Sequence, residues 1–419
     1  MGVSKGKTAC GWGVTRWAAC VVAIGMSAGG AGAADGTATP TATAAAAAAA
    51  MQSGTARPVD RMAQTDTVAE NAPPLQTLST SLDRPWGMAQ LPSGDLLITQ
   101  KGGTLVRVST AGKLLATVSG VPKVLDVGQG GLLGIAIDPD FAAGENWVYL
   151  SYSEPGTGAE ARLAGTSVAR GRLKGDQLVD LQVIFRQQPK VDSVGHYGSR
   201  IVFARDKTVF ITTGERMKGQ PSQDLAQTLG KVIHLNRDGS LPSNNPSLGA
   251  TARPGIWSYG HRNIQGAALH PQTGELWVSE HGPQGGDEIN IARAGQNYGW
   301  PVRSYGCPYG SPVGEACRLG GGKQAPEFVE PLTTWVPLSI APAGLVFYTG
   351  TMFPQWRGQL FSGSLAGQAL WRLTLDGDRV VAREKMYGSL GERFRDVVQA
   401  QDGALLMVTD GGKLLRLAK

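Results

Sequence analysis

No long run of one charge sign, no apolar stretch of membrane-spanning length and almost no long helical period occur in this sequence. The first absence bears on partners. The chain has 39 basic and 33 acidic residues, and its first 34 residues hold Lys5, Lys7 and Arg16 but no acid, so 36 basic side chains face 33 acidic ones beyond them. That near balance, with no basic run interleaved with aromatics, gives no footprint for nucleic acid. The second absence bears on membranes. WAACVVAIGMSAGG is too short to span a bilayer and leave it, and with its basic start and the small residues closing at Ala34 it reads as a signal peptide over 1–34. Trp17 stands where a lipobox needs an aliphatic residue, and the apolar run follows Cys20, so a lipid anchor is rejected.

Cysteine is also scarce. Cys10 and Cys20 fall in the expected leader, leaving Cys307 and Cys317 in a loop with Gly306, Pro308, Gly310 and Pro312. Such a pair suits a disulfide in an oxidising compartment, and two lone cysteines without nearby histidines make a poor metal site. A periplasmic or secreted location is therefore expected, with no stable membrane insertion after processing. Residues 35–74 are Ala/Thr/Pro-rich without apolar period and read as a disordered tether, so structure is expected over 75–419.

One phrase recurs in that region: a Gly or Asn turn, a few β-formers, then a small or hydroxyl residue. It stands as GDLLITQ (94–100), ENWVYLSYS (145–153), KTVFITTGE (207–215), GELWVSEHG (274–282), GQLFSGSL (358–365) and GALLMVTDGG (403–412). Second strands follow most of them, as in TLVRV, KVIHLNR, ALWRLTLDG and KLLRL. Six such repeats predict an all-β, six-bladed β-propeller with four-stranded antiparallel blades, because blades bury their faces only against neighbours. A pair of β-sandwiches is the competing architecture. The terminal KLLRL is expected to pair with the strand after Leu75 and close the ring, with a site among the loops at one end of the channel.

The polar residues of those loops suggest chemistry. Of five histidines, His234 and His270 read as structural, His281 follows Glu280 and is open to either role, and His196 and His261 sit in Gly-bounded loops. His196 lies in SVGHYGSRIVF, and Arg262 and Asn263 follow His261 in WSYGHRNIQG. A guanidinium fork suits planar anionic oxygens, and an amide adds a donor and an acceptor. Arg393 and Arg395 in ERFRDV alternate onto one face, and Gln129 stands between glycines in DVGQGGLLG. The stretch EHGPQGGDEINIARAGQNYGW (280–300) crowds Glu280, Asp287 and Glu288 beside flexible glycines, which is costly unless cations or hydrogen bonds compensate.

GQGGLLGIAIDPDF, GHYGSRIVF, YGHRNIQGAALHP, SEHGPQGGDEIN with NYGWP, and ERFRDV, in this order, resemble the soluble pyrroloquinoline quinone (PQQ)-dependent aldose sugar dehydrogenases of the glucose/sorbosone dehydrogenase family. The resemblance covers most of 75–419 and implies the six-bladed fold. It implies PQQ and Ca2+ as cofactors and oxidation of an aldose at C1 to the lactone, with electrons passed to an unidentified acceptor. His196 would be the base that takes the anomeric proton while hydride leaves for the quinone. Arg262 would stabilise charge on a quinone oxygen, and Gln129, Asn263, Tyr309, Arg393 and Arg395 would also contact the cofactor. Main-chain oxygens of Gly282 and Pro283 would hold calcium at the cofactor, and Glu288 and Tyr298 would serve a second ion. One departure stands out: Ala366 occupies the place of a family lysine. A non-catalytic binding propeller and a calcium-dependent lactonase-like hydrolase are the alternatives; the latter wants carboxylates and amides from several blades on one ion. Sugar choice lies in the loops, and broad specificity is expected.

Overall fold

The computed structural model describes residues 66–419; the expected signal peptide and most of the tether lie outside the described residues. Six sheets account for the described strands, each built from four antiparallel strands that are consecutive except at the ring closure, with one further parallel strand on the edge of blade 5. The inner strands are Pro85–Gln90, Leu132–Ile137, Ile201–Phe203, Ile264–Leu269, Pro342–Phe347 and Phe394–Gln399, one for each of blades 1 to 6. The recurring phrase of the sequence is the second strand of every blade: Leu96–Gln100, Trp147–Pro155, Val209–Thr212, Leu276–Glu280, Leu360–Ser364 and Leu405–Thr409. Blade 6 is completed by Leu75–Ser79, which pairs antiparallel with Leu414–Leu417 in the register Leu75 to Leu417. The ring thus closes as the terminal KLLRL suggested.

One boundary differs from expectation. Residues 66–74, read from composition as part of the tether, lie against blade 5. Asp66–Val68 runs parallel to the outer strand of that blade, and the Arg383 guanidinium pairs with Asp66 at 2.7 Å. Tyr387 then donates its hydroxyl to Pro73 O at 2.6 Å. Parallel edge pairing uses main-chain groups, so it needs no apolar period and leaves no hydropathy signal.

The hydroxyl that ends the repeated phrase explains its recurrence. Thr99 Oγ1 donates to Leu133 O at 2.5 Å, Ser151 Oγ to Ser199 O at 2.6 Å, Thr212 Oγ1 to Ile264 O at 3.1 Å and Ser279 Oγ to Ala343 O at 3.2 Å. Each bond runs from the second strand of one blade to the inner edge of the next, in fully buried surroundings. Small residues permit the approach: a Cβ on Gly134 would lie 2.2 Å from Ser199 O, and one on Gly266 would lie 2.1 Å from Ala343 O. Blade 6 joins blade 1 differently, through Met88 N donating to the Asp396 carboxylate at 3.0 Å. Asp396 also pairs with Arg200 across the channel at 2.8 Å, and that guanidinium stacks over Trp86 at 4.4 Å. Apolar clusters fill the spaces between blades, such as Leu97, Leu132 and Leu150 between blades 1 and 2. No helix among the described residues is long and apolar enough to cross a membrane.

Thr212 Oγ1 also accepts from Arg200 N at 2.9 Å. Thr212→Val keeps the shape but removes both bonds, and should cost about 1–3 kcal/mol. Thr212→Ser should retain most of the stability. Urea unfolding of the two variants measures the difference, and equal midpoints would remove the hydroxyl from this role.

Candidate active site

Loops at one end of the channel carry the polar residues singled out above, because both the turns after the second strands and the links into the inner strands emerge there. His196 occupies the link into blade 3, at a left-handed φ of 52°. Its Nδ1 lies 2.5 Å from Glu215 Oε1, and Glu215 Oε2 accepts from Gly219 N at 2.7 Å. With Nδ1–H donated to a carboxylate, the lone pair of the neutral ring resides on Nε2. Burial lowers the His196 pKa, the Glu215 hydrogen bond pushes it back up, and the Arg262 charge lowers it again, with a net fall below the ordinary histidine value. Glu215 is itself held below the usual carboxylate range: burial is the largest influence and opposes this, but the imidazole hydrogen bond and charge, the Gly219 N–H and the Arg262 charge together outweigh it.

Gln129, exposed on the link into blade 2, accepts His196 N on its Oε1 at 2.9 Å. Asn263 Oδ1 accepts Gly198 N at 3.0 Å, and its Nδ2 faces His281 Nδ1 at 3.4 Å. His281 donates Nε2–H to Pro342 O at 2.8 Å; burial and the neighbouring Arg262 hold its pKa down to about 3. His281 is thus a neutral packing residue. His261 also serves packing: it is fully buried, bonded to Ser258 and Glu280, and stacked on Tyr298 at 4.4 Å. Arg262 reaches outward instead. Its Nη1 donates to His281 O and its Nη2 to Tyr309 Oη, both at 3.1 Å, while its buried Nε has no partner. Tyr309 is 72% exposed, on the loop closed by the Cys307–Cys317 disulfide.

Arg393 and Arg395 do share a face, and both bind Asp410: Arg393 Nε at 2.8 Å and Arg395 Nε at 2.8 Å. Arg395 also donates to Gln265 Oε1 at 2.8 Å. Lys101, overlooked in the sequence, follows the second strand of blade 1 in a turn and donates to Gly128 O at 2.7 Å, within electrostatic reach of Arg395 and Asp410. Ala366 lies in an exposed turn of blade 5.

The acidic stretch divides by role. Asp287 accepts Gly282 N at 2.8 Å, Ser339 Oγ at 2.6 Å, Ile340 N at 2.6 Å and Ala341 N at 2.7 Å. It ties the Gly282–Pro283 turn to the segment leading into blade 5, and burial still raises its pKa. Glu280 binds His261 and Arg262 N, the latter at 2.9 Å. Glu288 receives Gln324 Nε2 at 2.7 Å and Asn290 Nδ2 at 3.0 Å, yet burial, then the Glu280 charge, lift its pKa well above the carboxylate range. Gln324 Oε1 and Asn290 Oδ1 are buried without donors beside it. Glu280, Glu288, Tyr298 and Gln324 line one small cavity with Gly282 and Arg262. The Tyr298 hydroxyl is committed, donating to Ile291 O and accepting Arg293 N at 2.9 Å, so only its main-chain oxygen is left for an ion. No cluster of three or more His, Cys, Asp or Glu converges on one point among the described residues.

Glu215 was the omission that matters most. A signal existed: the repeated phrase continues into a carboxylate in four blades, at Glu154, Glu215, Glu280 and Asp410. Each of the four holds a cation or an imidazole.

The sequence model of the family described as Glucose / Sorbosone dehydrogenase matches residues 82–416. The aldose sugar dehydrogenase YliI of Escherichia coli is 40% identical over 352 residues, covering 82% of this chain and 92% of that protein. A crystal structure of a glucose dehydrogenase is 44% identical with a TM-score of 0.77, covering 83% of this chain and all of the other. The PQQ-bound aldose sugar dehydrogenase of Streptomyces coelicolor is 31% identical with a TM-score of 0.67, over 83% of this chain and 99% of that one.

His281, neutral down to a pKa of about 3, should show no titration between pH 5 and pH 8 and should keep its Nε2–H tautomer throughout. Long-range proton–nitrogen spectra of histidine-labelled protein test this; an inflection in that window would contradict the geometry.

Proposed function

The chain belongs to the glucose/sorbosone dehydrogenase family and is an oxidoreductase, and from that premise we propose that it oxidises aldose sugars at C1 to lactones with PQQ and calcium as cofactors. One observation carries the reading: a neutral imidazole held by a buried carboxylate, beside an arginine whose buried Nε lacks an acceptor.

The residues present fit PQQ. Arg262, Arg393, Arg395 and Lys101 gather positive charge at one channel mouth, which suits a planar ligand bearing several carboxylates. Asp410 offsets part of the charge of Arg393 and Arg395. Lys101 brings a cation from blade 1, which compensates for Ala366 in blade 5. The Tyr309 ring and Asn263 complete the contacts, and Gln129 acts through the main chain of His196. When bound, PQQ supplies the two-electron acceptor for the hydride that leaves the sugar.

His196 Nε2 takes the proton from the anomeric hydroxyl. Glu215 fixes the ring tautomer and stabilises the imidazolium that results. Arg262 meets negative charge with a donor already desolvated and fixed, so little reorganisation is needed. Calcium fits as well. The Gly282 and Pro283 main-chain oxygens lie on the turn anchored by Asp287, and Glu288 with Gln324 Oε1 and the Tyr298 main-chain oxygen provides hard donors. A cation there would relieve the crowding that raises Glu288. The disulfide and the basic, apolar leader support a periplasmic or secreted location.

Dye-linked oxidation of glucose and other aldoses by purified protein should require added PQQ. His196→Ala should retain PQQ but lose nearly all turnover; unchanged turnover would remove His196 from the mechanism. The acid limb of kcat/KM should fall below pH 6.5, the ordinary histidine value from which His196 is lowered. Glu215→Gln removes the group that raises this imidazole, so the limb should move to still lower pH, with kcat down about 10- to 100-fold. Calcium should raise the Tm and EDTA should reverse the rise, while Glu288→Gln should blunt it. A Tm indifferent to calcium would reject the structural ion.

A further inference from the structure

Four non-glycine residues around the catalytic loop hold positive φ: His196 at 52°, Ser199 at 89°, Arg216 at 58° and Met217 at 57°. Each conformation costs a residue with a Cβ about 1–2 kcal/mol, so the surrounding bonds must impose it. Arg216 provides most of them. Its side chain is fully buried, and its hydrogen bonds go to three main-chain carbonyls. Nε donates to Gly195 O at 2.9 Å, Nη1 to Ala164 O at 3.2 Å and Nη2 to Ser193 O. The guanidinium also lies 3.5 Å over the Tyr197 ring, and Arg216 N donates to His196 O at 3.3 Å. One residue therefore grips the loop on both sides of His196, while Glu215, its neighbour in sequence, grips the imidazole. Gly214 must lack a Cβ for this fit, since one would lie 2.1 Å from His196 O.

We propose that Arg216 is a positioning residue that sets the backbone of His196 and thereby aims Nε2 at the substrate. The proposal rests on the reading of His196 as the base. A neutral side chain could brace the loop, but a cation also acts on the ring electrostatically. The charged or titratable groups facing His196 are Glu215, which favours its protonation, and Arg262, Arg216 and the neutral His281. Replacing Arg216 with a neutral residue removes a charge that opposes imidazolium.

The test compares Arg216→Met and Arg216→Lys with the unaltered protein. Hydrogen exchange on cofactor-free protein should accelerate about tenfold or more for amides of residues 193–198 in Arg216→Met, with the other blades unchanged. In the PQQ-loaded enzyme, kcat should fall about 10- to 100-fold with sugar KM within about threefold, and the acid limb of kcat/KM should move to higher pH. Arg216→Lys should keep the acid limb in place and recover part of kcat; if Arg216→Met does not fold, the lysine variant should still show faster exchange confined to 193–198. Unchanged exchange there, or exchange raised equally in all blades, would overturn the proposal, as would a kcat within twofold of the unaltered enzyme. If the unaltered protein oxidises no sugar with PQQ, the dehydrogenase reading falls, and the exchange measurement alone decides whether Arg216 holds the loop.

Discussion

A buried hydroxyl donating to the carbonyl of the neighbouring blade is the bond on which the remaining architecture depends. Four blades repeat it, from Thr99, Ser151, Thr212 and Ser279. The apolar contact between blades is non-directional and fixes spacing but not rotation. A short bond between the second strand of one blade and the inner edge of the next sets the angle between them. Because the site loops spring from the same strand ends, that bond also sets the distances among residues from different blades. Thr212 links the two levels: it bonds Ile264 O, two residues from Arg262, and receives Arg200 N.

Arg200 carries the constraint into the channel. It pairs with Asp396, stacks on Trp86, and donates to Gln265 O at 2.6 Å and Arg395 O at 3.2 Å. The pair is buried, so its attraction must offset a large desolvation cost, and its further hydrogen bonds help to do so. Its position beneath Arg395 gives the floor of the site a rigid, nearly neutral support. The four strand-end carboxylates act similarly at the rim, because each keeps a cation or an imidazole in one orientation. Preorganisation of this kind reduces what must move when charge shifts during reaction.

The acidic stretch at 280–300 shows why residue type alone does not reveal role. Three carboxylates lie within nine positions, yet Asp287 is saturated by hydrogen-bond donors, Glu280 serves an imidazole and a main-chain amide, and Glu288 remains short of positive charge. Burial is similar for all three. What separates them is the number and kind of donors within reach, and those donors come from Ser339, His261 and Gln324, distant in the chain.

The sequence by itself determined the fold class, the six repeats, the ring closure, the identities of His196, Arg262 and Asn263 as polar residues of Gly-bounded loops, and Arg393 and Arg395 as a same-face pair. These follow from local rules: strand periodicity, turn residues and hydroxyl-ended phrases need only neighbouring positions. The edge strand at Asp66–Val68 escaped because main-chain pairing leaves no side-chain pattern. Glu215, Lys101 and Arg216 escaped for another reason. Each stands on a turn that reads locally as solvated charge, and its partner lies elsewhere along the chain or in another blade. Only the tertiary structure decided which charge is buried, which is paired and which donor is left without an acceptor, since electrostatic energies depend on distance and desolvation rather than on order in the chain.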